Sequence, residues 1–174
     1  MDKSFIMTAF GKDRPGIVAD VTGVLFDTGC NLEDTTMTRL ADEFTLILLF
    51  TGQGEDLDDR LHKECRRLEI EKGLSAFIRP VEIGHPEPPA GEIHTIEVEG
   101  LDQAGIVHKI SRYLASKQIN IEKLTSRNTF SPESGATLYS MEVEVRVPEG
   151  QSVDDMEDGL DPIANELNVD ISVS

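Results

Sequence analysis

The chain has 174 residues, 39% hydrophobic and 28% charged, which suits a globular protein able to pack one or two small cores. Its formal charge of −17 is shared by both halves, 10 basic and 17 acidic side chains in residues 1–89 against 6 and 16 in 90–174. Direct nucleic-acid binding is therefore not expected, since phosphate contacts need clustered Lys and Arg.

The opening MDKSFIMTAFG has no long apolar stretch, and nowhere do 18 apolar residues run together, so neither export nor membrane insertion is expected. Two cysteines, Cys30 and Cys65, make no disulfide framework. The expected location is the cytoplasm.

SFIMTAF (4–10) reads as a strand, and GKDRPGIV (11–18) as a glycine-bearing turn that opens a helix. Ile17, Val18, Val21, Val24 and Leu25 form the apolar face of that helix, which ends near Gly29. NLEDTTMTRL (31–40) and EFTLILLFT (43–51) are the next two strands. Leu57, Leu61, Cys65 and Leu68 then keep helical spacing, and AFIRPVEI (76–83) closes the unit. GHPEPPAG (84–91) holds three prolines and reads as a stiff linker. The expected division is a domain over 1–84, a linker over 85–91 and a domain over 92–174.

The same order recurs after the linker. EIHTIEVE (92–99), a helix from Ile106 to about Gln118, NIEKLTSRN (120–128) and ATLYSMEVEVRV (136–147) follow one another. Next come a helix carrying Val153, Met156, Leu160, Ile163 and Leu167, which Gly159 and Pro162 should bend or interrupt, and the strand NVDISVS. Sliding the chain 89 residues along itself lays 11–33 on 100–122 with 8 of 23 positions identical, where chance gives roughly one or two. The identities are Gly11, Asp13, Gly16, Ile17, Val18, Leu25, Asn31 and Glu33. Each half reads β-α-β-β-α-β, so the fold class is α+β: two ferredoxin-like units, each an antiparallel sheet with helices on one face.

The doubled turn carries the chemistry. A helix start offers unpaired N–H groups and partial positive charge to a carboxylate, Gly16 and Gly105 permit close approach, and Asp13 and Asp102 attract an ammonium while repelling phosphate. Both charges of an α-amino acid are thereby matched, and the amides of Asn31 and Asn120 could serve either group. A purely structural account also fits: the aspartates as helix caps, the glycines as packing residues, the asparagines as turn residues. Arg14 and Pro15 in the first turn, where the second has Gln103 and Ala104, make the first the stronger expected binder. The opposing possibility is that Arg14 pairs with Asp13 or another surface acid.

Other residues offer less. His62 and Cys65 could share a metal, but two ligands make no site and Cys65 belongs to the apolar stripe. His85, His94 and His108 read as surface histidines, and Cys30 as a small buried side chain. No nucleophile elbow, metal cluster or dinucleotide fingerprint is present, so neither catalysis nor a cofactor is expected.

The G-x-D-x-x-G-I-V turn, the N-[LI]-E start of the following strand and the element order resemble the ACT domain, here twice in tandem over nearly the whole chain. A free-standing pair of this length is similar to the glycine cleavage system transcriptional repressor family. The resemblance implies an amino-acid ligand such as glycine or serine, held between the first turn of one domain and the second strand of its neighbour. The implied contacts are Asp13, Arg14, Pro15, Gly16, Ile17, Asn31 and Leu32, with Asp102, Gln103, Gly105, Ile106, Asn120 and Ile121 in the second repeat. It further implies action through a protein partner, a DNA-binding activator, without contact to DNA; the alternative is a ligand-independent assembly module whose sites are vestigial.

The first sheet differs from the second in one respect. Ile6, Thr8 and Phe10 stand where the second repeat has Thr95, Glu97 and Glu99, and FTLILLF is apolar on both faces. Its outer face should be covered by the other repeat or by a second chain, which favours a homodimer over a monomer.

Overall fold

The computed structural model describes residues 3–82, 90–132 and 135–174. The chain divides into two units, Met1–Pro86 and Glu87–Ser174. The first contains β1 (Lys3–Lys12), α1 (Ile17–Thr28), β2 (Asn31–Leu40), β3 (Glu43–Gly52), α2 (Leu57–Lys72) and β4 (Ser75–Val81). The second repeats the order with β5 (Glu92–Leu101), α3 (Ile106–Ser116), β6 (Asn120–Phe130), β7 (Thr137–Val147), α4 (Val153–Leu167) and β8 (Val169–Val173). The antiparallel sheets run β2-β3-β1-β4 and β6-β7-β5-β8, so each unit is ferredoxin-like. Of the linker expected over 85–91, all but Ala90 and Gly91 lies outside the described residues, as does His85.

Period-two alternation decides which face is dry. In the first unit Phe5, Met7 and Ala9 of β1 and Phe44, Leu46, Leu48 and Phe50 of β3 are buried on the helix side. They meet Ile17, Val21 and Leu25 of α1 and Leu57, Leu61 and Leu68 of α2, and the Phe5 and Phe50 rings stack at 5.8 Å. The second unit builds the same layer from Ile96, Val98, Met141, Val143 and Val145 against Ile110, Leu114, Met156 and Leu160.

Helix α4 is not interrupted, one of the two outcomes expected of Gly159 and Pro162. It runs unbroken from Val153 to Leu167 with Pro162 inside it. Interior proline costs about 3 kcal/mol, but burial of Met156, Leu160 and Leu167 offsets that at roughly 1.5–3 kcal/mol each. Ser152 also caps its start, accepting from the Asp155 amide. Gly159 has a packing reason: a Cβ there would overlap the ring of Tyr113, whose hydroxyl donates to the Met156 carbonyl at 3.1 Å.

The helix-free faces of the two sheets have different chemistry. Paired positions point to the same side of a sheet, so in the first unit Ile6, Phe10, Ile47, Leu49 and Phe77 share the outer face. In the second, Glu97 opposes Glu142, Thr95 opposes Glu144 and Lys123 opposes Glu144 across the strands.

Candidate functional site

Each β1-α1 and β5-α3 turn is set by its glycine. Gly16 and Gly105 are the N-cap residues, with φ of 85° and 98°, and no side chain caps either helix. A Cβ at either position would meet nothing within 4 Å, so the glycines are required by the left-handed backbone and not by packing. The capping role considered for Asp13 and Asp102 is likewise not observed. Among the described residues the amides of Val18 and Ala19 find no acceptor, which leaves the first turn of α1 open to an anion.

The aspartates are instead held from the edge strands. Arg39, near the end of β2, pairs with Asp13 at 3.3 Å, Nη1 to Oδ2. Asn128 of β6, the residue 89 positions later, donates to Asp102 Oδ2 at 3.0 Å. The register explains the reach: Arg39 stands opposite Phe44 and Asn128 opposite Tyr139, both core residues, so both side chains lie on the helix side at the end nearest the turn. The sequence held this signal in the 89-residue offset, yet neither Arg39 nor Asn128 is picked out by the turn motif itself.

Arg14 follows the opposing possibility raised above. Its Nη2 pairs with Asp20 Oδ2 at 2.7 Å, and Lys72 Nζ approaches Asp20 Oδ1 at 3.4 Å, so Arg14 ties the turn to the two helices. The Asp20 carboxyl is held below its ordinary pKa, first by the Arg14 hydrogen bond and then by the charge of Lys72. Gln103, its counterpart, donates to the Leu167 carbonyl at the end of α4. Pro15 is exposed.

The remaining candidates separate. Ile17 and Ile106 are core residues, 3% and 2% exposed. Asn31 and Leu32 begin β2 beside Thr51 and Phe50, whereas the turn follows Lys12 beside Glu43. That is about eight residues along the strand, roughly 27 Å. Within one unit, therefore, Asn31 and Asn120 do not join their own turns. Asn120 donates to Glu122 at 3.1 Å, and this bond with Arg146 holds the Glu122 carboxyl below its usual range; Ile121 packs partly into the core. His62 bonds the Asp58 carbonyl on the helix surface, while Cys65 faces the core, where burial pushes its thiol up to about 11. Cys30 packs against the core, its sulfur accepting from the Thr28 hydroxyl at 3.4 Å.

Comparison with known proteins agrees with this architecture. A model of the ACT domain matches residues 3–79. The glycine cleavage system transcriptional repressor of Escherichia coli K12 is 24% identical over 172 residues, 97% of this chain and 88% of the relative. A crystal structure of an unknown protein from Galdieria sulphuraria is similar with a TM-score of 0.79 and 26% identity, covering 100% of this chain and 98% of the other. A crystal structure of a putative glycine cleavage system transcriptional repressor shares the fold, with a TM-score of 0.71 and 24% identity over 100% and 97% of the two chains.

Proposed function

We propose that this chain, whose residues 3–79 match a model of the ACT domain, is a cytoplasmic, non-catalytic amino-acid sensor that regulates transcription through a protein partner, a DNA-binding activator, without contacting DNA itself. Similarity over nearly the whole chain to a glycine cleavage system transcriptional repressor supports the regulatory part. The charge of −17 supports the absence of DNA contact. Glycine and serine are the first ligands to test.

The Asp13–Arg39 pair at the open start of α1 carries the proposal. An exposed ion pair is worth only about 0–1 kcal/mol, so a zwitterion can part it at little cost, its ammonium taken by Asp13 and its carboxylate by Arg39 and the amides of Val18 and Ala19. The second turn has Asn128 in place of the guanidinium and binds more weakly. Ligand occupancy then alters the affinity for the partner by coupling the two equilibria.

A thermal-shift panel of the common amino acids tests this reading. A ligand at 100 times its dissociation constant adds about 2.7 kcal/mol of stability; no shift with any of them points to the ligand-independent assembly module. One observation favours that second reading for the second unit: Asn128 on Asp102 offers a carboxylate no charge where the first unit has Arg39. A gel shift at low salt, where electrostatic attraction is strongest, should show no saturable binding to DNA.

A further inference from the structure

The outer face of the first sheet is largely apolar and its few charges balance, on an otherwise acidic chain. Phe77 is 65%, Ile47 44% and Phe10 41% exposed, with the Phe10 and Phe77 rings stacked at 6.0 Å. Lys12 and Glu43 oppose each other at one end of it, and two further opposite charges interrupt its middle, Arg79 on the edge strand β4 and Asp34 on the edge strand β2. The registers put Arg79 and Asp34 in one row: Arg79 opposite Ile6, Ile6 opposite Leu49, and Leu49 opposite Asp34. Neither has an ion-pair partner among the described residues.

We propose that this face is the interface of a homodimer in which two copies stack sheet on sheet about a two-fold axis running along the strands between β1 and β3. Such an axis exchanges the β4 and β2 margins while preserving height along the strands. Arg79 of each copy then stands over the partner's Asp34, and Ile6 over the partner's Leu49, within the rotation of about 30° usual for stacked sheets. The row is self-complementary: cation, apolar, apolar, anion reads as its own counterpart once reversed.

The occupant follows from charge and area. A face carrying Glu97, Glu99 and Glu142 is no counterpart for this one, because stacking it here would bury carboxylates against Ile6 and Ile47 without partners. Two acidic chains approach each other most cheaply where neither presents net charge. Four strands about 4.8 Å apart and ten residues of about 3.4 Å give roughly 600 Å² per copy, some 1,200 Å² in all, the lower edge of specific stable interfaces.

Sedimentation equilibrium on the full chain tests the proposal, with Arg79→Glu, Asp34→Arg and the double variant beside it. The wild type should reach twice the chain mass at micromolar concentration. Each single reversal creates two like-charge contacts per dimer and should weaken association by at least ~10-fold, while the double reversal should recover most of the loss. Should Asp34→Arg disturb the register shift between Leu32 and Asp34 in β2, as circular dichroism would reveal, Asp34→Ala and Arg79→Ala in a double-mutant cycle replace it, and non-additive losses are then expected. A wild-type monomer at high micromolar concentration, a dimer indifferent to the reversals, or a double variant no better than the singles would overturn it.

Discussion

Asp20 and Lys109 occupy the same place in the first helix of their units, carry opposite charge and make the same bridge. Asp20 meets Lys72 at 3.4 Å at the end of α2, and Lys109 meets Glu166 at 2.6 Å near the end of α4. The link between paired helices is kept while its polarity is inverted. The inversion also decides what precedes it: Arg14 can lean on Asp20, whereas an arginine at position 103 would face Lys109.

Importing one polarity into the other unit tests this. Asp20→Lys alone places a lysine beside Arg14 and Lys72 and should lower the melting temperature. The triple variant Arg14→Gln, Asp20→Lys, Lys72→Glu reproduces the second unit's set and should return close to wild type. Calorimetric melting of the three proteins reads the difference, and a triple variant no more stable than the single would show that the bridges do not act as sets.

The lowered pKa of Asp20 fixes a direction with pH. A carboxyl that ionises more readily folded than unfolded contributes stability above its unfolded pKa, roughly 3.9, and loses it as pH falls through the folded value. Asp20→Asn should therefore melt below wild type at pH 7, and the gap should close as pH falls below the unfolded pKa and through the lower folded value. Because the pair is only partly buried, the gap should also narrow in 1 M salt, where the screening length is about 3 Å. A gap that widened toward acid would contradict the assignment.

Gly159 gives a prediction whose sign departs from the usual rule. Glycine to alanine within a helix ordinarily stabilises by about 1 kcal/mol, but a Cβ at 159 collides with Tyr113. Gly159→Ala should destabilise by roughly 1–3 kcal/mol, the range for overpacking. Tyr113→Val, which copies Val24 at the equivalent place in α1, should relieve that clash. Urea denaturation of the two single variants and the double measures both effects, and a Gly159→Ala variant as stable as wild type would show that the ring moves aside freely.

The strands and helices were legible because alternation and helical spacing mark each element and the 89-residue repeat doubles the first turn and helix, from Phe5 and Met7 on one face of β1 to Ile17 and Val21 on one face of α1. What the turn residues hold was less legible. Arg14 lies two residues from the helix-capping glycine, yet its partner Asp20 comes one turn into the helix, and local spacing alone cannot separate a ligand-facing guanidinium from a bridging one. Arg39 was invisible to the motif because it reaches Asp13 through strand register, which joins residues 26 positions apart. The asparagines at 31 and 120 stand close to the turn in the repeat motif yet lie at the far end of the sheet from it. Pro162 shows the converse, a breaker overruled by the apolar stripe around it.

Isothermal titration calorimetry of the intact chain with glycine, serine and the other common amino acids tests the central claim most directly, with Asp13→Ala, Arg39→Gln, Arg14→Gln and Asp102→Ala alongside. At least one amino acid should bind saturably. Asp13→Ala and Arg39→Gln should each weaken it by about 1.5–3 kcal/mol, the range for a hydrogen bond to a charged group, or roughly 10- to 150-fold in affinity. Arg14→Gln should leave the affinity near wild type, and Asp102→Ala should cost less than Asp13→Ala. Absence of heat with every amino acid at millimolar concentration from a folded protein, or a larger loss at Asp102 than at Asp13, would contradict the account.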